Sequence, residues 1–263
     1  MYQLNQIPSQ AQSRKLFRRI LFGKNVFCPV CNSKKVDKDR ERYWCPKCRR
    51  RFTLLSHTWL RGTKLSYQKL YLILWCWLSA LPVKQAEKLT KLSEEAVRHW
   101  YSLFRAQLPE TPLILEKKVQ MDEAYGHGWA LLLAKQIGSR KLAYTFLPQK
   151  SVQKHEAISF VSQYVSPGSR LNTDGAKIYR KIEQWWPVRH GVDLHCKFQF
   201  GKTSEIEGMF GVFRTFLRRM YHHVRTENMP EYVREFCARF SSPEMFENPR
   251  IYLTKTLRSA PLD

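Results

Sequence analysis

The sequence is poor in acidic residues and in long apolar runs. Only 22 Asp and Glu stand against 45 Lys and Arg in 263 residues, so the formal charge is +23 and the pI is near 9.9. A chain this basic favours a polyanionic partner, with nucleic acid as the first candidate; a protein that its charge merely keeps soluble is the alternative. The longest apolar stretch, 70–81, is too short to cross a bilayer, so no membrane partner is expected.

The sequence also shows no pattern typical of an export signal or of a disulfide framework. The first residues show neither an apolar core nor a small-residue cleavage site, which predicts no signal peptide and a cytoplasmic location. Of the seven cysteines, Cys76, Cys196 and Cys237 stand alone among apolar or aromatic residues. They are expected to be buried thiols in a reducing compartment.

The other four cysteines form two Cys-x-x-Cys knuckles. Cys28 and Cys31 are followed, after 13 residues, by Cys45 and Cys48. Two knuckles at this separation predict one tetrahedral zinc site, whereas the alternative, a redox dithiol, needs only one. A ribbon over 27–54 is too small to fold on its own core, so zinc would have to supply much of its stability.

The first 60 residues are the most basic part of the chain, with 14 Lys and Arg against three acids. Residues 13–22 predict a short basic amphipathic helix within an N-terminal segment 1–26. Arg49, Arg50 and Arg51 follow the second knuckle and predict a DNA-binding outer face of the ribbon. The alternative is a ribbon that only braces neighbouring elements.

Residues 55–112 predict a helical region. Helices are expected over 66–81, ended by Pro82, over 83–89, and over 96–108 after a turn and N-cap at Ser93. Apolar spacing over 86–104 fits a helix-turn-helix whose second helix, carrying Arg98, enters a DNA major groove. A structural helical hairpin is the alternative.

Residues 113–240 predict an α/β catalytic domain with the element order of a ribonuclease-H-like fold. The tail 241–263 is proline-dotted and is expected to be irregular. Strands are expected over 119–122, 129–135, 141–147, 170–173 and 188–190, and helices over 152–165, 176–186, 204–221 and 229–240.

Three acids are candidates for a metal-dependent phosphoryl-transfer site. Asp122 ends the first expected strand, Asp174 ends the fourth, and Glu207 lies on the helix that begins near Ser204. In this fold order the first and fourth strands are neighbours, so the three carboxylates could hold two Mg²⁺ or Mn²⁺ ions about 4 Å apart. Such a pair activates the attacking oxygen and stabilises the leaving one.

Each acid also has an ordinary structural interpretation. Asp174-Gly175 is a common turn pair, and Ser204 with Glu207 fits a helix capping box. Strand alternation places Asp122 and Glu123 on opposite faces, so only one of them is expected to point into the site.

Basic and aromatic residues near the acids give weaker signals. Arg214 lies seven residues after Glu207, about 10.5 Å along the same helix face, and with Arg218 it could clamp DNA phosphates. A solvated surface arginine is the alternative. Weaker candidates, for base stacking or for phosphate and metal contact, are Trp185, Trp186, His195, His222 and His223. Core packing is the favoured alternative for the tryptophans, and a structural, hydrogen-bonded histidine is the favoured alternative for His195.

These motifs together resemble the zinc-ribbon DDE transposases of bacterial insertion sequences, the group related to the eukaryotic Merlin elements. The resemblance covers nearly the whole chain. Its motifs are Phe27-Cys28-Pro29-Val30-Cys31, Tyr43-Trp44-Cys45-Pro46-Lys47-Cys48, Arg51-Phe52-Thr53, Gly62-Thr63, Val119-Gln120-Met121-Asp122-Glu123, Ala124-Tyr125-Gly126-His127-Gly128, Thr173-Asp174-Gly175, Ile206-Glu207-Gly208 and Tyr221-His222-His223-Val224.

The resemblance implies a bacterial DNA transposase that binds terminal inverted repeats, cleaves there, and joins the freed ends to target DNA. It implies structural Zn²⁺, catalytic Mg²⁺ or Mn²⁺, a homo-oligomer on double-stranded DNA, and association with the nucleoid. This chain has Ser204-Glu205 before the last acid, where an Asn-Thr segment is usual. Spacing and the following glycine favour Glu207 over Glu205. A domesticated non-catalytic regulator and an endonuclease without strand transfer are the alternative functions.

Overall fold

The computed structural model describes residues 7–108, 113–193, 203–221 and 224–257. The chain divides into two compact units, one of Met1–Gln107 with Glu244–Asp263 and the other of Leu108–Pro243. Within the described ranges, no helix has the length and apolar character needed to cross a membrane. Cys196, His195, His222 and His223 lie outside the described residues, so their predictions are not addressed by the structure.

The first unit begins with a helix and a small antiparallel sheet. Helix α1 spans Gln10–Phe22, and its capping box pairs Ser9 with Gln12. Strands β1 (Asp37–Asp39), β2 (Arg42–Cys45) and β3 (Arg50–Phe52) follow in the spatial order β1-β2-β3. A small core under this sheet contains Tyr43, Phe52 and Leu54.

Three helices continue the first unit, close to their expected positions. They are α2 (Tyr67–Leu78), α3 (Val83–Thr90) and α4 (Glu94–Ala106). The hydroxyls of Ser66 and Ser93 accept from the N–H groups of Lys69 and Ala96, each at 3.2 Å, so α2 and α4 both start at side-chain caps. Between α3 and α4, Lys91 adopts a left-handed conformation with φ 52°.

The expectation that the segment after 241 is irregular was wrong. It forms α8 (Glu244–Glu247) and α9 (Pro249–Leu257), and α9 packs on α1 and α2. A proline is tolerated at the first position of a helix, where its missing N–H has no intrahelical partner. The side chain of Tyr252 is fully buried. Its hydroxyl donates to the Phe104 carbonyl at 2.8 Å, and the centroid of its ring lies 5.4 Å from that of the Trp77 ring.

The second unit contains a five-stranded mixed sheet in the order β6-β5-β4-β7-β8. The antiparallel part consists of β4 (Lys118–Gly126), β5 (Trp129–Gln136) and β6 (Leu142–Leu147). Strands β7 (Arg170–Asp174) and β8 (Arg189–Asp193) add to β4 in parallel. The mixed α/β architecture is consistent with the expected ribonuclease-H-like fold.

Alternating strand residues supply two separate cores, one on each face of the sheet. Val119 and Met121 of β4 face one core, which α5 (Lys154–Tyr164) covers. Ala124 of β4 faces the other core, which α6 (Ser204–Met220) and α7 (Met229–Ser241) cover. Helix α6 therefore lies on the face to which the even-numbered β4 residues point.

The prediction of a helix over 176–186 was wrong. The segment forms two 3₁₀ turns, Lys177–Tyr179 and Ile182–Gln184, because Arg180 between them is extended and Lys181 is left-handed with φ 59°. These turns keep Tyr179 and Ile182 fully buried against the sheet. The fifth strand was expected over 188–190; it runs over Arg189–Asp193 and ends level with Asp174.

Candidate active site

Two aspartates lie side by side on neighbouring parallel strands, Asp122 just past the part of β4 that pairs with β7 and Asp174 at the carboxyl end of β7. The β4–β7 ladder ends at the pair Gln120↔Asn172. Asp122 and Asp174 each lie two residues farther along, so both side chains point to the face that α6 covers. The expected proximity of the first and fourth strands of the domain is therefore present, and it brings Asp122 and Asp174 together.

A third carboxylate, that of Glu123, joins this cluster. One oxygen from each of Asp122, Glu123 and Asp174 lies within 4.8 Å of the others. The expectation that only Asp122 or Glu123 points into the site was therefore wrong. Beyond Gln120 the ladder with β7 is not continued, so side chains from both faces of β4 reach the space between the two strands.

Glu123 and Asp174 are fixed by hydrogen bonds within the second unit. The buried Tyr179 hydroxyl donates to Glu123, and the Tyr125 hydroxyl lies 3.3 Å from its other oxygen. The Ala176 N–H donates to Asp174 Oδ1 at 3.0 Å. The sequence offers Glu123 only as an alternative to Asp122, and it gives no sign of Tyr179, which lies 56 residues away from Glu123 in the chain.

The electrostatics of the cluster disfavour a full set of charged carboxylates. Burial raises the pKa of Asp122 to about 7. The Glu123 N–H opposes this shift, while the charges of Glu123, Asp174 and Glu207 add to it. Burial likewise raises the pKa of Glu123, against the Tyr179 hydrogen bond. Like charges held this close disfavour one another's ionised forms.

Helix α6 is anchored to the sheet at its first turn. Gln120 Oε1 of β4 accepts from the Ile206 N–H at 3.0 Å, and Asp193 Oδ2 of β8 accepts from the Thr203 N–H, also at 3.0 Å. Gln120, Asp193 and Thr203 are all buried. The Thr203 hydroxyl lies 2.9 Å from Glu207 Oε1. These contacts place Glu207 near enough to Asp122 for its charge to raise the Asp122 pKa.

Glu207 is close to the cluster but is outside the group of three carboxylates within 4.8 Å of one another. The capping-box interpretation was wrong, because Thr203 is the N-cap and Ser204 already lies inside the helix. Glu205 forms an ion pair with Lys135 of β5, whose side chain is largely buried. Glu205 thus already has a cationic partner. This partner lies on β5, which borders β4 on the side opposite to β7.

Residues 114–241, which include all of these acids, match the family described as the ISXO2-like transposase domain. This part of the chain is similar to an ISXO2-like transposase domain. This match confirms the predicted resemblance to a transposase.

Among solved structures, the chain is similar to one titled "CryoEM structure of simian T-cell lymphotropic virus intasome in complex with PP2A regulatory subunit B56 gamma". The similarity has 12% identity and a TM-score of 0.39, and it covers 73% of this chain and 77% of that chain. No curated protein matches the sequence.

The acidic cluster in this region has the donor chemistry of a divalent-cation site. Hard cations such as Mg²⁺ and Mn²⁺ take carboxylate oxygens, and three of these already converge here. A bound cation would offset both the burial and the neighbouring negative charges that raise the Asp122 pKa. The residues present therefore fit a divalent metal.

A second cluster, in the first unit, consists of the four knuckle cysteines. Their sulfurs lie within 4.8 Å of one another, with Cys28–Cys48 and Cys31–Cys45 separations of 3.5 Å. A tetrahedral zinc ion with Zn–S bonds of about 2.3 Å requires sulfurs about 3.8 Å apart, so the four thiols could bind zinc. The same separations exclude disulfides, which need about 2.05 Å.

The two knuckles have equivalent backbones. Asn32 and Arg49, the residues after each second cysteine, both have φ 56°. Their N–H groups donate to the carbonyls of Cys28 and Cys45, at 2.9 and 2.8 Å. The repeated turn aims two sulfurs from each knuckle at one point. A hydrogen bond from the backbone N–H of Cys48 is the main reason why the pKa of the Cys45 thiol is lowered to about 7.

The predicted DNA-binding arginines are exposed on both units. Arg49, Arg50 and Arg51 of the small sheet are exposed, and Arg51 lies over the Trp44 ring at 5.9 Å. Arg98 of α4 binds Glu94 through two hydrogen bonds, of 3.0 and 2.7 Å.

The remaining candidates lie in the second unit. Arg214 and Arg218 are exposed on α6. Trp186 packs against the sheet and donates to the Val165 carbonyl, whereas Trp185 is 63% exposed.

The cysteine cluster predicts a metal-dependent first unit. The purified protein is expected to contain one zinc per chain, and Cys31→Ala or Cys48→Ala is expected to lose it, because three thiolates close a tetrahedral site poorly. Zinc binding to such sites stabilises folding by about 10–16 kcal/mol, so chelation should also lower Tm. Elemental analysis and thermal unfolding measure both effects. Cys76→Ala, which removes a buried thiol elsewhere in this unit, is the control and should keep the zinc.

The burial of Asp122 among other carboxylates predicts a stabilising substitution. In metal-free buffer at pH 8, Asp122→Asn should raise the free energy of unfolding by up to about 4 kcal/mol, because burial and the neighbouring charges raise the Asp122 pKa from 3.8 to about 7 and one pKa unit corresponds to about 1.4 kcal/mol. Mg²⁺ should raise the Tm of the unsubstituted protein and leave that of the variant nearly unchanged.

Asp193→Asn makes an equal charge change at the same level of the sheet and serves as the control. It should not stabilise, because the Asp193 carboxylate accepts the Thr203 N–H. Equal stabilisation by both substitutions would show that the raised Asp122 pKa is not the cause.

Proposed function

We propose that the protein is a DNA transposase that binds the ends of its element and catalyses metal-dependent strand cleavage and strand transfer. The observation that carries this proposal is the convergence of Asp122, just past the last β4–β7 pair, with Asp174, the last residue of β7, in a region that matches the ISXO2-like transposase domain. Sites in open α/β sheets lie beyond the parallel pairing at the carboxyl ends of the strands, where neighbouring loops and helices can bring further groups.

Asp122, Asp174 and Glu207 are the proposed metal-binding triad. The first two offer oxygens from adjacent strands, and Glu207 approaches Asp122 from the anchored first turn of α6. Glu205 is the poorer candidate because it is paired with Lys135. When bound, two Mg²⁺ or Mn²⁺ ions supply activation of the attacking oxygen and stabilisation of the leaving one.

The protein groups around the triad hold and orient the reacting DNA strand. Gln120 and Asp193 keep the start of α6 in place, so the position of Glu207 does not depend on the bound DNA. Arg214 lies two helical turns beyond Glu207 on the exposed side of α6, where its guanidinium can bind a phosphate in bidentate fashion. Arg218 extends the same basic strip by one more turn.

The first unit is the proposed DNA-end recognition module. A zinc ribbon held by Cys28, Cys31, Cys45 and Cys48 presents Arg49, Arg50 and Arg51 to DNA phosphates. The pair α3 and α4, joined by a three-residue turn, acts as a helix-turn-helix with α4 in the major groove. When DNA binds, the Arg98 side chain would leave Glu94 and contact the DNA instead.

Both element ends and the target are double-stranded DNA, and work on two ends at once requires a homo-oligomer. The high positive charge of the chain supports such extended contact with DNA.

The triad is tested by removing one charge at a time without changing side-chain size. Asp122→Asn, Asp174→Asn and Glu207→Gln should each lower Mg²⁺-dependent cleavage of labelled element ends by roughly 100-fold or more, because charge stabilisation supplies most of the catalysis. Binding of the same DNA should persist. A target plasmid in the assay separates strand transfer from cleavage alone.

Glu205→Gln is the matched control, two residues before Glu207 on the same helix. It should retain most of the cleavage activity, since Glu205 is paired with Lys135. If Glu205→Gln lost cleavage while Glu207→Gln kept full activity, Glu205 would be the third metal-binding residue in place of Glu207. Undiminished cleavage in all three triad variants would exclude this active site.

A further inference from the structure

A basic groove lies in the first unit, between α1 and the small sheet. Its volume is about 590 Å³, and it is open to solvent along one side. Residues of α1 form one wall, the β1–β2 hairpin forms the other, and Val26 and Leu54 contribute apolar surface. The sequence prediction assigned DNA contact to other parts of this unit, the Arg49–Arg51 run and α4, and gave this groove no role.

The groove concentrates positive charge. Four cations line it, Arg14, Lys15 and Arg18 from α1 and Lys38 from β1, against the single acid Glu41. Arg14 and Arg18 are one helical turn apart, so their guanidinium groups project from the same side of α1. This spacing suits a ligand with several anionic oxygens rather than one carboxylate.

Two of these guanidinium groups have donors that the described protein groups do not use. Arg14 Nη2 and Arg18 Nε are buried and have no hydrogen-bond partner within the described residues. Buried donors without partners are uncommon and cost stability, so a ligand that turns these side chains toward the groove would gain their hydrogen bonds. A phosphate offers oxygens in the geometry that guanidinium groups bind best.

The one acid in the groove is weakly held. Glu41 lies 2.9 Å from Arg14 Nε, and its side chain is 70% exposed. Exposed ion pairs contribute little to stability, so an incoming phosphate can replace the Glu41 carboxylate at Arg14 at small cost. Glu41 would then be the competing anion of an otherwise basic site.

We propose that this groove binds the phosphodiester backbone of DNA. Arg14 and Arg18 donate to phosphate oxygens, Lys15 and Lys38 flank the strand, and the apolar groups contact its sugars. The proposal rests on the proposed function in one respect, that the protein binds DNA. It adds a phosphate site whose residues are distinct from the Arg49–Arg51 run.

The test measures binding of the full-length, zinc-loaded protein to a 30-base-pair duplex by fluorescence anisotropy at several salt concentrations. The double variant Lys15→Ala with Lys38→Ala should bind roughly tenfold more weakly, and its salt slope should fall by about 0.9 for each phosphate that the variant no longer neutralises. Both lysines are exposed, so zinc content and Tm should be unchanged.

The matched control removes the same charge from outside the groove. Arg19→Ala with Lys34→Ala alters exposed residues of α1 and of the loop before β1 that do not line it. This variant should bind close to the unsubstituted protein. Glu41→Gln should act in the opposite direction and bind DNA several-fold more tightly, because it removes the competing anion and frees Arg14.

Equal affinity and salt slope for the two double variants would overturn the groove assignment, as would unchanged or weaker binding by Glu41→Gln. Polyglutamate is a second probe. If the groove variants lost polyglutamate binding but kept DNA binding, the groove would belong to an acidic protein partner. Failure of the unsubstituted protein to bind any duplex would instead reject the proposed function itself.

Discussion

The geometry of the acidic site depends on the buried hydrogen bonds that hold the first turn of α6 against the sheet. Gln120 and Asp193 come from strands on either side of β7, and each accepts a backbone N–H from the start of the helix. The first N–H groups of a helix have no intrahelical partner, so these bonds satisfy donors that burial would otherwise leave unpaired. The same bonds determine how close Glu207 comes to Asp122, and so connect helix capping with the electrostatics of the cluster.

The two clusters of metal-binding side chains differ in the way that their chemistry requires. The cysteines are soft donors set by two equivalent turns in a small sheet, and all four sulfurs already converge. A site closed by four protein ligands suits a structural role. The carboxylates are hard donors at the end of a larger sheet, half-buried and still reachable from solvent. A site that keeps open positions suits a reaction.

Local signals explain most of what the sequence predicted correctly. The N-caps Ser66 and Ser93, and the alternation of the strands, act over a few residues, so pattern alone places these elements. The proximity of Asp122 and Asp174 was predicted, because it follows from strand order. The contribution of Glu123 did not follow, since alternation assumes a ladder that continues on both sides. Its hydrogen bond from Tyr179 joins segments far apart in the chain, and no local pattern contains it.

The helices after residue 243 give the first unit a discontinuous chain. Tyr252 of α9 completes a core that contains Trp77 and Phe104, the latter 148 residues earlier in the sequence. During synthesis from the N-terminus, the whole of the second unit emerges before α9 can pack. The proposed DNA-recognition unit therefore reaches its full stability only after the second unit has been made, and a chain that stops before α9 would lack the helix that completes this core.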